Sequence, residues 1–134
     1  MVLKKILVVS DDLKTNELIC TTLKNELYEI DSAKNGLEAM LFFIEHSYDL
    51  VICDTTMPLM SGYELIKKIR QENKDINIII LASSDDSGED IVLEIDDYIS
   101  KPVSASLLLK CVTSLFKKQK YSTVKKELWE TIKG

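Results

Sequence analysis

Residues 49–62 read DLVICDTTMPLMSG, and the fold follows from the change of character halfway along them. Leu50 to Cys53 is an unbroken apolar run that stops at Asp54 and gives way to Thr55, Thr56, Met57 and Pro58. That is the pattern of a buried parallel strand emptying into a loop, and it sets one carboxylate on the rim of a sheet. Pro58 cannot donate to a ladder and Gly62 can take φ > 0, so the segment between them is a built turn. Ser61 is placed to cap the helix that follows.

On the N-terminal side, Lys4 to Val9 is a β run that ends in Ser10, Asp11 and Asp12, after which Leu18, Ile19, Leu23 and Leu27 share a helical stripe. Asp12 is read as the cap of that helix. Tyr28 to Ala33 makes a short strand, and Asn35-Gly36 turns the chain into a helix with Leu37, Met40, Leu41 and Ile44 at i, i+3, i+4, i+7. His46 ends that helix, where a histidine beside the C-terminal dipole needs no further role.

On the C-terminal side, Tyr63 to Asn73 is a helix with Leu65, Ile66 and Ile69 inward, and Ile76 to Ala82 is a fourth strand. The polar run SSDDSGED from Ser83 leaves room only for a short helix, Glu89 to Ile95. Asp97 to Ser100 is a brief fifth strand. After Pro102, Leu108, Cys111, Val112 and Leu115 form a firm helical stripe behind a Ser104 or Ser106 cap. Beyond Lys118, Tyr121, Val124, Leu128, Trp129 and Ile132 recur at near-helical spacing, as a packed extra helix, a dimerising helix or the start of a linker would. Five alternations of strand and helix predict an α/β fold, a doubly wound parallel sheet with helices on both faces.

The 134 residues, 46% of them hydrophobic, suffice for one core and one domain. No apolar run has the length of a membrane span or a signal peptide, which predicts a cytoplasmic protein without membrane contact. Cys20, Cys53 and Cys111 are odd in number and widely spaced, as buried thiols are, and indicate neither a disulfide set nor a zinc site. A net charge of -5 repels phosphate backbones, so no direct nucleic-acid binding is expected. The lysines after Phe116 share their segment with Glu127 and Glu130, as on a solvated helix face. Nucleotide enzymes are disfavoured by four glycines and the lack of either GxGxxG or GxxxxGK[ST].

In doubly wound sheets ligands bind beyond the carboxyl ends of the strands, and Asp11, Asp54, the Ala82 to Ser84 turn and Lys101 all fall there. Two ionised carboxylates about 4 Å apart repel by roughly 4 kcal/mol at an effective dielectric of 20. A counter-charge is therefore required. Lys101 supplies part of it, and an all-oxygen site of two carboxylates, a carbonyl and waters suits Mg²⁺. A phosphoryl group approaching Asp54 would find its developing charge met by the same cations, so phosphoryl transfer to Asp54 is the chemistry this rim suits.

These residues resemble the receiver domain of bacterial two-component response regulators. The resemblance runs from Lys4 to about Phe116 and rests on ILVVSDD, on DLVICDTTMPLMSG and on Tyr98-Ile99-Ser100-Lys101-Pro102, in that order. It implies a flavodoxin-like sheet of order 2-1-3-4-5, with residues 1–118 as the receiver and 119–134 as a C-terminal helical tail or linker. It further implies that Asp54 is the phosphoacceptor, that Asp11, Asp54 and the Thr56 backbone carbonyl hold Mg²⁺, and that Lys101 contacts the phosphoryl group. Lys101-Pro102 would be a cis bond and Tyr98 the aromatic switch. The implied partners are a histidine kinase or phosphotransfer protein and a downstream effector protein. The chain itself would be a monomer or weak homodimer that catalyses at most its own phosphorylation and dephosphorylation.

Three departures accompany the resemblance. Ser10 stands where the family has the first of two acids, which predicts reduced Mg²⁺ affinity. Ala82 stands at the switch position that normally carries a hydroxyl, leaving Ser83 as a substitute only after a one-residue slip. The stretch from Ala82 to Lys101 is short, which predicts a truncated or distorted fourth helix. Two other readings follow: a degenerate receiver acting as a phosphorylation-independent interaction module, and a phosphatase with an aspartyl nucleophile. The latter needs a second acid two residues after Asp54, where Thr56 stands.

Overall fold

A computed structural model describes residues 3–83 and 95–133, with the backbone alone for 119–126. Its strands are β1 (Lys5–Val9), β2 (Glu29–Ala33), β3 (Leu50–Asp54), β4 (Asn77–Ala82) and β5 (Asp97–Ser100). Its helices, among the described residues, are α1 (Leu13–Lys24), α2 (Gly36–Glu45), α3 (Gly62–Glu72) and α4 (Ala105–Lys133). The expected short helix at Glu89 to Ile95 lies, but for Ile95, outside the described residues, as does Ser84.

The sheet has the order β2-β1-β3-β4-β5 with every pair parallel. β3 is central and all five of its residues are buried, so the apolar run of its sequence is covered on both faces. Alternation along the strands sorts the core into two layers. Leu7, Val9, Val51 and Cys53 face α3, whose Leu65, Ile66 and Ile69 are buried against them. Ile6, Val8, Leu50 and Ile52 face Ile19 and Leu23 of α1 and Leu108 and Val112 of α4.

Three helices differ from the periodic reading. In α1, Ile19 and Leu23 are buried as expected, but Leu18 is exposed, and Leu27 lies past the helix end with a positive φ of 64°. In α2 the buried positions are Gly36 and Ala39, with Met40, Phe42 and Phe43 partly covered, while Leu37, Leu41 and Ile44 face solvent. The cause is close approach: a Cβ on Gly36 would lie 2.7 Å from the Cβ of Met60, so the smallest face of α2 is the one turned inward. In α4 the stripe around Leu108 and the tail stripe around Trp129 belong to one 29-residue helix. No glycine or proline interrupts residues 105–133, so nothing ends the helix where its packing ends. Phe116 stacks on Tyr28 at 5.4 Å between ring centroids and closes the packed part of α4, whereas residues 127–133 are all exposed.

Candidate functional site

Asp54 ends β3 with only 1% of its surface exposed, and among the described residues its carboxylate meets groups from neighbouring strand ends and its own loop. Lys101, just past β5, donates from Nζ to Asp54 Oδ1 at 2.5 Å. Ser10, just past β1, donates from Oγ to Asp54 Oδ2 at 3.3 Å, and the Thr56 N–H reaches Oδ1 at 3.4 Å. The backbone holds these groups in turn. Ser10 N–H bonds the Ala33 carbonyl at 3.1 Å and Lys101 N–H the Ala82 carbonyl at 2.9 Å, so both residues continue the ladders of their strands. The Lys101-Pro102 peptide is cis.

The loop after Asp54 closes on itself through the Gly62 N–H and the Thr55 carbonyl, 2.9 Å apart. Ser61 caps α3 by accepting from the Glu64 N–H at 3.2 Å, as its position in the sequence leads one to expect. Gly62 serves a different purpose from the one its position suggests. Its φ is not positive, and the positive φ of this loop falls on Leu59, at 73°. A Cβ on Gly62 would lie 2.1 Å from the Asp54 carbonyl oxygen, so the glycine is there to let α3 meet the β3 end.

The electrostatics differ from a crowd of acids held apart by a cation. Asp54 is buried and paired with Lys101, Asp11 is exposed, and Ser10, the residue before Asp11, gives Asp54 a neutral hydroxyl. Among the described residues no three His, Cys, Asp or Glu side chains gather into a ligand cluster. Asp12 occupies the N-cap position of α1 without making the capping bond. Its carboxylate instead accepts from Thr15 Oγ1, and that bond holds it below the ordinary range. Cys53 is fully buried and its thiol is pushed far up by desolvation, whereas Cys20 and Cys111 are half-buried rather than buried.

Asp54 lies opposite Leu81 in the β3–β4 register, so Ala82 is the next residue outward and Ser83 follows the strand. Tyr98 is on the edge strand β5 and exposed. Thr56, whose carbonyl the sequence reading offers to a metal, is exposed on the loop. Sequence reasoning treated Ser10 as a missing acid, yet the structure makes it a direct partner of Asp54. Its position directly after the apolar run of β1 was the available signal.

The Asp54–Lys101 pair gives a test of this arrangement. Lys101→Met leaves a buried carboxylate without its cation. Because Lys101 keeps 26% of its side-chain surface in water, the expected loss is about 3 kcal/mol, the low end for breaking a buried pair. Adding Asp54→Asn should restore most of it. Denaturant unfolding of the two single variants and the double variant measures the coupling, and purely additive losses would contradict it.

With this geometry in place, the match to known proteins is specific. The family model described as "Response regulator receiver domain" matches residues 6–113, and the chain belongs to this family, the receiver domains of two-component response regulators. It is 37% identical over 120 residues to the regulatory protein VanRB of Enterococcus faecalis, covering 85% of this chain and 53% of that protein. A probable transcriptional regulator, ycf27, of Cyanidium caldarium is 32% identical over 130 residues, or 95% of this chain and 52% of the relative. The chain thus spans about half the length of these curated relatives.

Among solved structures, a CheY-like receiver domain protein from Methanospirillum hungatei superposes with a TM-score of 0.84 at 27% identity, over 90% of this chain and 99% of that one. The chemotaxis protein CheY4 of Vibrio cholerae gives 0.78 at 27% identity, over 84% and 98%. Among the described residues no helix is long and apolar enough to cross a membrane.

Proposed function

We propose that this chain is a phosphorylatable receiver. Asp54 takes a phosphoryl group from a histidine kinase or phosphotransfer protein in the cytoplasm, and the altered surface is then read by a downstream effector protein. The observation that carries this reading is Asp54 itself, a carboxylate buried at a strand end with an ammonium on one oxygen and a hydroxyl on the other. An ordinary strand-end turn residue has no reason to be buried with such partners.

In the transfer an Asp54 oxygen forms a bond to phosphorus while the donor's P–N bond breaks, and the departing imidazole keeps the electron pair and takes up a proton. Lys101 offsets charge on the phosphoryl oxygens as that charge moves off the donor. The Ser10 hydroxyl holds the carboxylate plane, and the Thr56 N–H fixes the second oxygen. Residues 1–118 act as the receiver in this reading, and 119–134 as its helical extension.

The oxygens that this reading offers to a metal are those of Asp11, Asp54 and the Thr56 backbone carbonyl, all hard donors. Such a set with two carboxylates fits Mg²⁺, which commonly keeps several waters beside one or two carboxylates. When bound, Mg²⁺ would supply charge neutralisation for the transferring group. With Ser10 in place of an acid, weaker Mg²⁺ binding is expected, since one fewer carboxylate is offered to the ion. Ala82 offers no hydroxyl to the phosphorylated state, which leaves Ser83, one residue further, as the substitute and Lys101 with its strand as the other route to a surface change.

Incubation with a labelled small-molecule phosphodonor and Mg²⁺ tests the reading. The expected product carries one base-labile phosphoryl group per chain, formed only when Mg²⁺ is present. No labelling at any Mg²⁺ concentration would overturn it.

A further inference from the structure

The buried residues of α1 are Asn16, Ile19 and Leu23, at i, i+3 and i+7 along its inward stripe. An apolar side chain would serve the first place as it serves the other two. A buried asparagine loses its water and is an indifferent helix former, so its polar groups must be matched by the protein. They are matched on every side. Asn16 Nδ2 donates to the Ser10 carbonyl at 3.1 Å and to the Ala33 carbonyl at 3.2 Å, while Oδ1 accepts from Ser32 Oγ and from Cys20 Sγ, the latter at 3.4 Å. Carbonyls can only accept, so the amide has one orientation, with its NH₂ toward the ends of β1 and β2.

We infer that Asn16 is a positioning residue for phosphoryl transfer, one that fixes Ser10 and Asp11 relative to Asp54. The inference rests on the functional reading above and adds to it a residue that touches neither the phosphoryl group nor a metal. Asn16 grips the loop on both sides of Asp11. Its side chain holds the carbonyl of Ser10, the residue before, and its backbone N–H holds the carbonyl of Asp12, the residue after, at 2.9 Å. With both flanking carbonyls tied to one residue of α1, the Asp11 backbone has little freedom to turn. Ser10 is fixed by the same grip. Its N–H bonds the Ala33 carbonyl, its carbonyl is held by Asn16, and its Oγ sits between the Asp12 N–H at 3.2 Å and Asp54 Oδ2.

Helix capping does not account for this asparagine. A cap offers an oxygen to the free N–H groups of the first turn, whereas Asn16 offers N–H groups to carbonyls outside the helix. Nor does the Ala33 carbonyl require it, since the Ser10 N–H already bonds that oxygen at 3.1 Å. What Asn16 adds is a hold on a loop that carries an acid toward another acid. Repulsion between Asp11 and Asp54 favours a loop swung outward before any cation arrives. A loop pinned in advance offers Asp11 to Mg²⁺ without having to be ordered at the moment of binding.

Mg²⁺ titration of the isotope-labelled full chain tests the inference, followed by the backbone amide resonances of Ser10, Asp11 and Asp12, with phosphoryl labelling as a second readout. Asn16→Ala, checked for native circular dichroism, should bind Mg²⁺ about tenfold more weakly than the wild type, the low end for losing a supporting partner. Its labelling should lag at limiting Mg²⁺ and recover as Mg²⁺ is raised. Ser32→Ala removes a partner from the far side of the same amide and should bind Mg²⁺ as the wild type does. In the wild-type chain the Asn16 side-chain NH₂ resonances should shift with the same Mg²⁺ midpoint as the Asp11 amide, a measurement that stands even if Asn16→Ala does not fold. Unchanged Mg²⁺ affinity in Asn16→Ala, an equal loss in Ser32→Ala, or Asn16 resonances that stay put while Asp11 shifts would each overturn the inference alone. A wild-type chain that neither binds Mg²⁺ nor takes label would overturn the functional reading and this inference together.

Discussion

Asp54→Asn is expected to bring phosphoryl labelling down to background while leaving the domain folded. Asparagine keeps the shape of aspartate, and its carbonyl oxygen still accepts from either Lys101 or Ser10, the two groups that hold Asp54 at 2.5 and 3.3 Å. What disappears is the anionic oxygen that must form the bond to phosphorus, and a neutral amide is a poor substitute. The stability change should be small, about 1 kcal/mol in either direction. The substitution removes a buried charge, and Lys101, partly in water, can be solvated alone. Labelling with and without Mg²⁺, set beside a thermal melt, separates the two effects. If the variant takes label at the wild-type rate, the acceptor is another residue. If it fails to fold, the buried pair matters more to the structure than its partial exposure suggests.

Gly62→Ala should be the most damaging single-methyl change in the described part of the chain. Its added carbon would meet the Asp54 carbonyl oxygen at 2.1 Å and the Asp54 carbonyl carbon and Thr55 Cα at 2.9 Å. All three are backbone atoms of a central strand end and cannot swing aside. Either α3 moves off the sheet, opening the layer under Leu65, Ile66 and Ile69, or the β3 end is displaced. A cost of about 3 kcal/mol or more is expected, a fall in Tm on the order of 10 °C. Labelling at Asp54 should fall with it, because the carbonyl under pressure belongs to the acceptor.

Gly36→Ala is the control. Its new methyl meets the Met60 side chain, at 2.7 to 3.0 Å, and a methionine can adapt. Alanine also favours a helical position by up to about 1 kcal/mol over glycine. The net loss should be about 1 kcal/mol, so equal melting temperatures for the two variants would count against this account of the α3–β3 contact.

Most of the frame was legible because it depends on strong local signals. The five strands, the halt at Asp54, the Ser61 cap and the inward Leu65, Ile66 and Ile69 are where the residue patterns put them, to within a residue or so at the strand ends. Features decided by how closely two elements approach were not legible. Nothing in the spacing of α2 says that Gly36 and Ala39, rather than Leu37, Leu41 and Ile44, face the core, since that depends on Met60 reaching in from the loop after β3. The same loop puts its positive φ on Leu59, a residue that sequence preference would pass over.

The candidate site shows the same division. Asp54 and Lys101 stood out because a strand end and a Lys-Pro pair are visible along the chain. Their meeting required the register of β3, β4 and β5. Ser10 could be recognised only as an absence until the sheet brought it within reach of Asp54, and with it the balance of charge changed. The Asp54 carboxylate meets the Lys101 ammonium on one oxygen and the Ser10 hydroxyl on the other.

The unbroken α4 also has a mechanical consequence. It starts four residues after Lys101, is packed on the core through Phe116, and has no glycine or proline along its 29 positions. The part past Phe116, about 25 Å of helix, magnifies whatever happens at the packed turns: a swing of about 5° carries the far tip about 2 Å. A rearrangement around Lys101 too slight to disturb the packed layers would therefore be delivered, as travel, to whatever touches Lys133.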